Sequence, residues 1–227
     1  MDARHPAAAD PDVTGVVLAG GRSSRFGDAD ANKAVASLGG RTLLGRVVDS
    51  LAEATDRSPV VAVRTAAQRE TYAAALSDRS VAFARDDAGF DGPLAGVFGA
   101  VDAVDAPWLF CCGCDMPLLS PAVVRWLVDA LRDRGGASEA APAALAVRHP
   151  DGTPDPLHAL YRTSAVERVR TRLPSSAGPR ALLDSLEPVV TVPVDAAPAR
   201  LPVAESTTNV NTRDELAAAS PRPPPTR

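Results

Sequence analysis

The chain has 227 residues, 45% of them hydrophobic, enough to bury a sizeable core in one domain or one domain with a small lobe. Its formal net charge of −4 argues against a protein that coats nucleic acid, and no apolar run approaches the ~20 residues of a membrane span. Three cysteines give no disulfide framework and fit a reduced, cytoplasmic compartment.

The opening MDARHPAAADPD has no apolar h-region and carries acids, so no signal peptide is expected there. Residues 1–12 and 219–227, the latter ending in PRPPPTR, read as disordered tails around a single domain over 13–218. Within it, VTGVVLA, PVVAV, SVAFA and APWLFCC are short β-branched or apolar runs bounded by turn residues, and are predicted strands. Between them, TLLGRVVDSLAEA, AAQRETYAAAL and GPLAGVFGAVDAV carry apolar residues at helical spacing. SPAVVRWLVDALRDR predicts an amphipathic helix with Ser120 as N-cap and Pro121 at its first position. Aromatics are only 4% and alanine is abundant, which predicts helices packed closely on small side chains. DRGGASEAAP, 133–142, is the one loop-like stretch able to separate two halves. The alternation implies an α/β fold with parallel strands and right-handed crossovers, whose ligands bind outside the carboxyl ends of the strands.

LAGGRSSRFGDADANKA follows the first strand, at such an end. Gly20 and Gly21 let the backbone turn and a ligand come close, and successive N–H groups there form an anion-binding concavity. Arg22, Arg25 and Lys33 add charge suited to phosphate oxygens. The spacing is neither that of a P-loop nor that of a G-x-G-x-x-G fingerprint, and a glycine turn with solvated cations would account for the loop alone. A second loop, CGCDMPLLSP, follows the fourth predicted strand and places Asp115 at its carboxyl end. By itself Asp115 reads as a turn or cap residue. Beside a polyphosphate site it is a natural Mg²⁺ ligand, because Mg²⁺ takes one or two carboxylates together with phosphate oxygens and water.

Five segments, in order over about 14–217, resemble the molybdenum cofactor guanylyltransferases among the nucleotidyltransferases: LAGGRSSRFG…NKAVASLGGRTLL, DGPLAGVFGAV, LFCCGCDMPLLSP, DPLHALYR and NVNTRDEL. The resemblance implies a Rossmann-like three-layer α/β/α fold with a mostly parallel central sheet. It implies a nucleotide-binding half over about 13–134 and an acceptor-binding half over about 140–218. The implied reaction transfers GMP from GTP to the terminal phosphate of molybdopterin, with Mg²⁺ as cofactor and no covalent nucleophile. Carried over residue by residue, Leu18, Ala19, Gly20 and Gly21 lie along the nucleotide, with Gly92, Pro93 and Leu94 facing them. Arg25 and Lys33 contact phosphate, Asp86 holds the nucleotide with Asp87 as the adjacent alternative, and Asp115 binds the metal. Gly96, Arg162, Asn209 and Asn211 fall on the acceptor side.

The chain departs from the family pattern in having Asn32 where an Asp usually precedes the lysine, and in a longer loop before Lys33, which bears on that lysine's reach. Arg64 stands where the family often has an Asn for the nucleotide, so that contact is not carried over. GTP and molybdopterin are the implied partners, with proteins of molybdopterin handling or molybdoenzyme assembly open as others, and no nucleic acid or membrane. Two alternatives stay open: a cytidylyltransferase for the same cofactor or a guanylyltransferase for another phosphorylated acceptor, and a non-catalytic carrier. The cysteines read as small buried residues, Trp108 and Trp126 as core, and His149 and His158 as loop or surface residues. The basic stretch RTRLPSSAGPR reads as a solvated loop that could hold an anion.

Overall fold

The computed structural model describes residues 10–21, 32–138 and 140–219. The predicted strands and helices are all present, as β1 (Val13–Leu18), α1 (Leu43–Ala54), β4 (Val60–Val63), α2 (Ala66–Ala75), β5 (Ala82–Arg85), α3 (Gly92–Ala103), β6 (Trp108–Gly113) and α4 (Pro121–Arg132). Further elements lie among them. A 3₁₀ turn, Lys33–Val35, precedes the hairpin of β2 (Ser37–Leu38) and β3 (Arg41–Thr42). Gly39 and Gly40 turn that hairpin with φ of 59° and 79°, a left-handed pair that suits a two-residue connection. After α4 come β7 (Ala144–Arg148), β8 (Pro154–Arg162), α5 (Thr163–Arg170), α6 (Pro179–Asp184), β9 (Val189–Pro193), α7 (Val203–Ser206) and α8 (Arg213–Ala219).

Seven strands form one sheet in the order β5-β4-β1-β6-β8-β7-β9. Its first four strands are parallel, whereas β8 runs antiparallel to both β6 and β7. The chain builds outward from β1 through β4 to β5, then returns to place β6 on the other side of β1. That reversal opens a crevice beyond Leu18 and Gly113, which are paired in register at the carboxyl ends of β1 and β6.

Helices cover both faces, giving three layers. On one face α1 and α4 bury Leu44, Val47, Val48 and Leu51 with Val123, Val124, Leu127 and Leu131. Each such side chain contributes roughly 1.5–3 kcal/mol when fully removed from water. On the other face α3 is apolar around its whole circumference, since it lies between the sheet and α5 and α6. Its close approach depends on small residues: a Cβ at Gly99 would sit 2.0 Å from the Arg85 carbonyl oxygen. Cys111 and Cys112 are fully buried on opposite faces of β6, and Trp108 is buried with its Nε1 donating to the Gly136 carbonyl at 2.9 Å. Trp126, within α4, is only partly buried, packing against the edge of that core rather than inside it. Ser120 does flank α4, although its side chain makes no capping bond; its own N–H donates to Ser206 Oγ.

His158 corrects an expectation. It is no loop or surface residue but a fully buried one in β8, edge-on to Phe110, with Nε2 3.3 Å from Ser206 Oγ and Nδ1 unpartnered. β8 lies between β6 and β7 with both faces covered, so His158 to Tyr161 are all buried, and the prolines at the start of the strand mask it as a loop in the sequence. Burial depresses its pKa to about 4 from the usual 6.5. The unfolded chain therefore takes up the proton first as pH falls. The His158 contribution is whole above pH 6.5 and is lost between 6.5 and about 4, by as much as on the order of 3 kcal/mol. Denaturant melts at pH 7 and pH 4.5 check this: His158→Gln is expected to show a smaller acid loss than the parent, and equal losses would place the acid sensitivity elsewhere.

Candidate active site

The crevice is a cleft of about 820 Å³. Four strand ends supply its walls, and their register explains why residues far apart in sequence meet. Leu18 pairs with Ala62 and with Gly113, and Val63 pairs with Arg85. The residues just beyond, Gly20, Arg64, Asp86 and Asp115, therefore leave the sheet along one edge.

The first wall is the glycine loop. The Ala19 N–H donates to the Ala62 carbonyl at 3.0 Å, and the buried Tyr72 hydroxyl donates toward the Ala19 carbonyl at 3.2 Å. Gln68 Nε2 donates to the Gly21 carbonyl at 3.2 Å. Its Oε1 accepts the N–H groups of Arg64 and Thr65, completing the capping box of α2. The loop is thus tied to α2 from below, which leaves its upper side open to the cleft. Gly20 does not have a positive φ. It is glycine because the Asp86 carboxylate lies against it: a Cβ there would meet Asp86 Oδ2 at 2.1 Å.

Lys33 forms the centre of the second wall. The sequence suggests an exposed loop cation of uncertain reach, but the structure buries it to 8% exposure, in the 3₁₀ turn capped by Asn32. Its Nζ lies 3.0 Å from Asp115 Oδ2 and donates to Asn211 Oδ1 at 2.8 Å. Asn32, where an Asp was expected, accepts from the Ala34 N–H and lies 3.1 Å from the Tyr72 hydroxyl. This places Lys33 inward whatever course residues 22–31 take. Arg22 and Arg25 lie outside the described residues.

Asp115 is folded back over Gly113, where a Cβ would come within 2.2 Å of Oδ1. With Oδ2 turned to Lys33, Oδ1 has no hydrogen-bond partner among the described residues. The Asp115 carbonyl accepts the Val210 N–H at 2.7 Å, which docks the last segment of the chain and brings Asn211 to Lys33. Glu215 in turn accepts the N–H groups of Asn211 and Thr212.

On the opposite wall Asp86 and its neighbour have different surroundings. Asp86 Oδ1 is buried without a hydrogen-bond partner, and burial raises its pKa above the ordinary carboxylate value while the charge of Arg64 opposes the rise. The Asp87 pKa is lowered, first by the Gly89 N–H and then by Arg170. Arg170 pairs with both Asp87 and Asp102, so the basic stretch that begins there is in part engaged with acids rather than solvated. Asp86 is the acid left open to a ligand. Gly92 and Pro93 open α3 at the same wall.

Of the residues expected at the site, Leu18, Ala19, Gly20, Gly21, Lys33, Asp86, Gly92, Pro93, Gly96, Asp115 and Asn211 line this one cleft. Three do not. Leu94 is fully buried in the core beneath α3. Asn209 is exposed and stands off the lining. Arg162 pairs with Trp108 at the start of β6, at the opposite end of the sheet from the cleft. The antiparallel direction of β8 is the reason: its early residue Leu157 reaches the cleft and its last residue is carried away. Gly96 lies against Leu18, Ala62 and Asp86. Arg64, Tyr72, Arg85 and Cys114 also line the cleft without having been expected there. Tyr72 carried a weak signal as the one large apolar residue of an otherwise alanine-rich helix.

Among the described residues no cluster of three or more metal-ligating side chains occurs, and no helix is long and apolar enough to cross a membrane. The open Oδ1 of Asp115 fits a hard divalent ion that draws its other ligands from phosphate and water.

Comparison with known proteins agrees with this architecture. Residues 15–189 match the model of the MobA-like NTP transferase domain. A molybdenum cofactor guanylyltransferase of Burkholderia lata is 35% identical over 175 residues, covering 77% of this chain and 82% of that protein. Molybdopterin-guanine dinucleotide biosynthesis protein A from Archaeoglobus fulgidus superposes with a TM-score of 0.69 at 25% identity, over 91% of this chain and 96% of that one. Rv0371c of Mycobacterium tuberculosis, solved in complex with manganese, shares the fold with a TM-score of 0.58 at 23% identity, over 82% and 89% of the two chains. With a family match across most of its length and a curated relative at 35% identity covered over 82% of its own length, the chain belongs to the MobA-like NTP transferases and is a nucleotidyltransferase of the molybdenum cofactor guanylyltransferase family.

Proposed function

We propose that the chain transfers GMP from GTP to the terminal phosphate of molybdopterin, releasing pyrophosphate and forming the guanine dinucleotide. The observation that carries this reading is the Lys33–Asp115–Asn211 cluster set across one cleft from the glycine loop and Asp86. A terminal phosphate oxygen of the acceptor attacks the α-phosphorus, and the bond to the oxygen bridging the α- and β-phosphates breaks. The attacking phosphate is already an anion, so no general base is required of the protein. Catalysis then rests on alignment and on neutralising charge. Lys33 stands where negative charge gathers on the leaving pyrophosphate, with the N–H groups of Gly20 and Gly21 on the facing wall, and Arg25 is assigned to the same task by the family motif. Asn211 keeps the Lys33 ammonium oriented and couples it to the acceptor-side segment 207–212. Asp115 would hold a divalent ion through Oδ1, and Mg²⁺ is the ion proposed; the manganese bound by the mycobacterial protein supports divalent binding in this fold. When bound, the ion supplies positive charge to the phosphate oxygens.

Guanine is the proposed base. Competition binding with GTP, ATP and CTP at fixed Mg²⁺ is expected to favour GTP by about a hundredfold, since two mismatched buried polar groups cost about 1–3 kcal/mol each. Incubation with each triphosphate, Mg²⁺ and purified molybdopterin, followed by product analysis, tests the whole reaction. Comparable affinity and product from CTP would overturn the guanylyl assignment in favour of a cytidylyltransferase.

A further inference from the structure

We infer that Arg64 is a specificity-determining residue that, beside the Asp86 carboxylate, reads the Watson–Crick edge of guanine; this rests on the guanylyl reading above. Arg64 is the first residue beyond β4, and it lines the cleft. The parallel register of β4 and β5 ends on Val63 and Arg85, and the Asp86 N–H donates to the Val63 carbonyl at 2.9 Å. Residues 64 and 86 therefore leave neighbouring strands side by side. The Arg64 backbone N–H is held by Gln68 Oε1 at 2.9 Å, while its guanidinium has neither an ion pair nor a hydrogen bond among the described residues. Asp86, next to it, keeps one buried oxygen without a partner, and its other oxygen lies over Gly20 in the glycine loop. Consistent with that register, the charge of Arg64 acts on this carboxylate, opposing the rise in its pKa that burial causes.

The pairing of an acceptor-only group with a donor-only group matters chemically. Guanine presents two donors, N2–H₂ and N1–H, followed by one acceptor, O6. A carboxylate accepts from the donors, and an adjacent guanidinium donates to O6. Adenine presents a donor at position 6, which would face the guanidinium, and an acceptor at N1, which would face the carboxylate. Cytosine presents one donor and two acceptors, so an acceptor again meets the carboxylate. The pair thus accepts guanine and repels both competitors, and an unmade buried contact of this kind discriminates more strongly than a gain of shape. Arginine supplies this donor with permanent charge and a planar fork, which an amide side chain at the same position would not.

Steady-state kcat/KM for the parent and Arg64→Ala, with GTP, inosine triphosphate and 2-aminopurine riboside triphosphate, tests the inference. The 2-aminopurine analogue keeps the amino donor but lacks both O6 and N1–H, so its N1 faces Asp86 as an acceptor; inosine keeps O6 and N1–H and lacks the amino group. The parent is expected to prefer GTP over the 2-aminopurine analogue by about ten- to a hundredfold. In Arg64→Ala, kcat/KM for GTP is expected to fall by about tenfold. The 2-aminopurine analogue should change less than twofold, so that preference narrows by the same factor and keeps only the part due to N1 facing Asp86, while the penalty for inosine persists. A GTP over 2-aminopurine preference that is undiminished in Arg64→Ala overturns the inference, as does an equal fall with all three substrates, the signature of a phosphate contact. Arg64 is exposed, so an unchanged melting temperature is expected to accompany either result. A parent enzyme that shows no preference for GTP over ATP and CTP overturns the guanylyl reading itself, a separate result visible before any variant is made.

Discussion

Lys33→Ala is expected to lower turnover with GTP by about a hundredfold or more. Removing one preorganised donor that meets developing charge costs ~3 kcal/mol of transition-state stabilisation, and each 1.36 kcal/mol is tenfold in rate. The structure changes what accompanies that loss. An exposed loop lysine could be removed with little effect on folding, but Lys33 is nearly buried between Asp115 and Asn211. Its removal strips the carboxylate of a partner at 3.0 Å, and Asp115 keeps about a quarter of its side chain in water, which softens the penalty. A stability loss of about 1–2 kcal/mol is expected, less than for a fully buried pair. Turnover measured with saturating GTP, alongside a denaturant melt, separates the two effects. Near-normal turnover in a variant that melts early would reduce Lys33 to a scaffold for Asp115 and Asn211, and would move the phosphate role to Arg25 or Arg22.

Asp115→Asn is expected to fold normally and to lose divalent-dependent turnover by a hundredfold or more. The amide keeps the size of the carboxylate, and its oxygen can still accept from Lys33, so the cluster need not rearrange. What disappears is the negative charge that makes Oδ1 a ligand for a hard cation, since a neutral amide oxygen is a much weaker one. GTP binding without added metal should remain within a few-fold, because the glycine loop and Asp86 lie on the other wall. Asp86→Asn is the natural contrast: it should weaken nucleotide binding more than the chemical step. Titration of Mn²⁺ as a paramagnetic probe, together with turnover over a Mg²⁺ series, distinguishes the two variants. An Asp115→Asn enzyme with the parent's metal dependence would remove Asp115 as the metal ligand. Equal losses of binding and turnover in both variants would mean that the two carboxylates share one site.

What the sequence determined by itself was local or strictly ordered along the chain. Four strands and four helices follow from β-branched runs and 3.6-residue spacing, because each pattern reports which face of its own element is buried. The glycine loop after β1 and the acid after β6 were legible as chemistry for the same reason: their strand ends are set by neighbours in sequence. What tertiary structure alone decided depends on direction and on distant partners. The antiparallel course of β8 removed Arg162 from the cleft, and its interior place between β6 and β7 buried His158; no residue within β8 encodes either. The bond from Lys33 to Asn211 spans 178 positions, and only the docking of Val210 on the Asp115 carbonyl makes it possible. Gly20 is required because Asp86 arrives from two strands away, not because its own backbone needs a positive φ. Arg64 stands where the family pattern has an Asn, so matching the pattern residue by residue gives it no role. It gains a meaning only once sheet register puts a lone guanidinium beside a carboxylate with an unpaired oxygen. Periodicity is a property of single elements, whereas a binding site is a property of register between them, and register is settled by packing of the whole sheet.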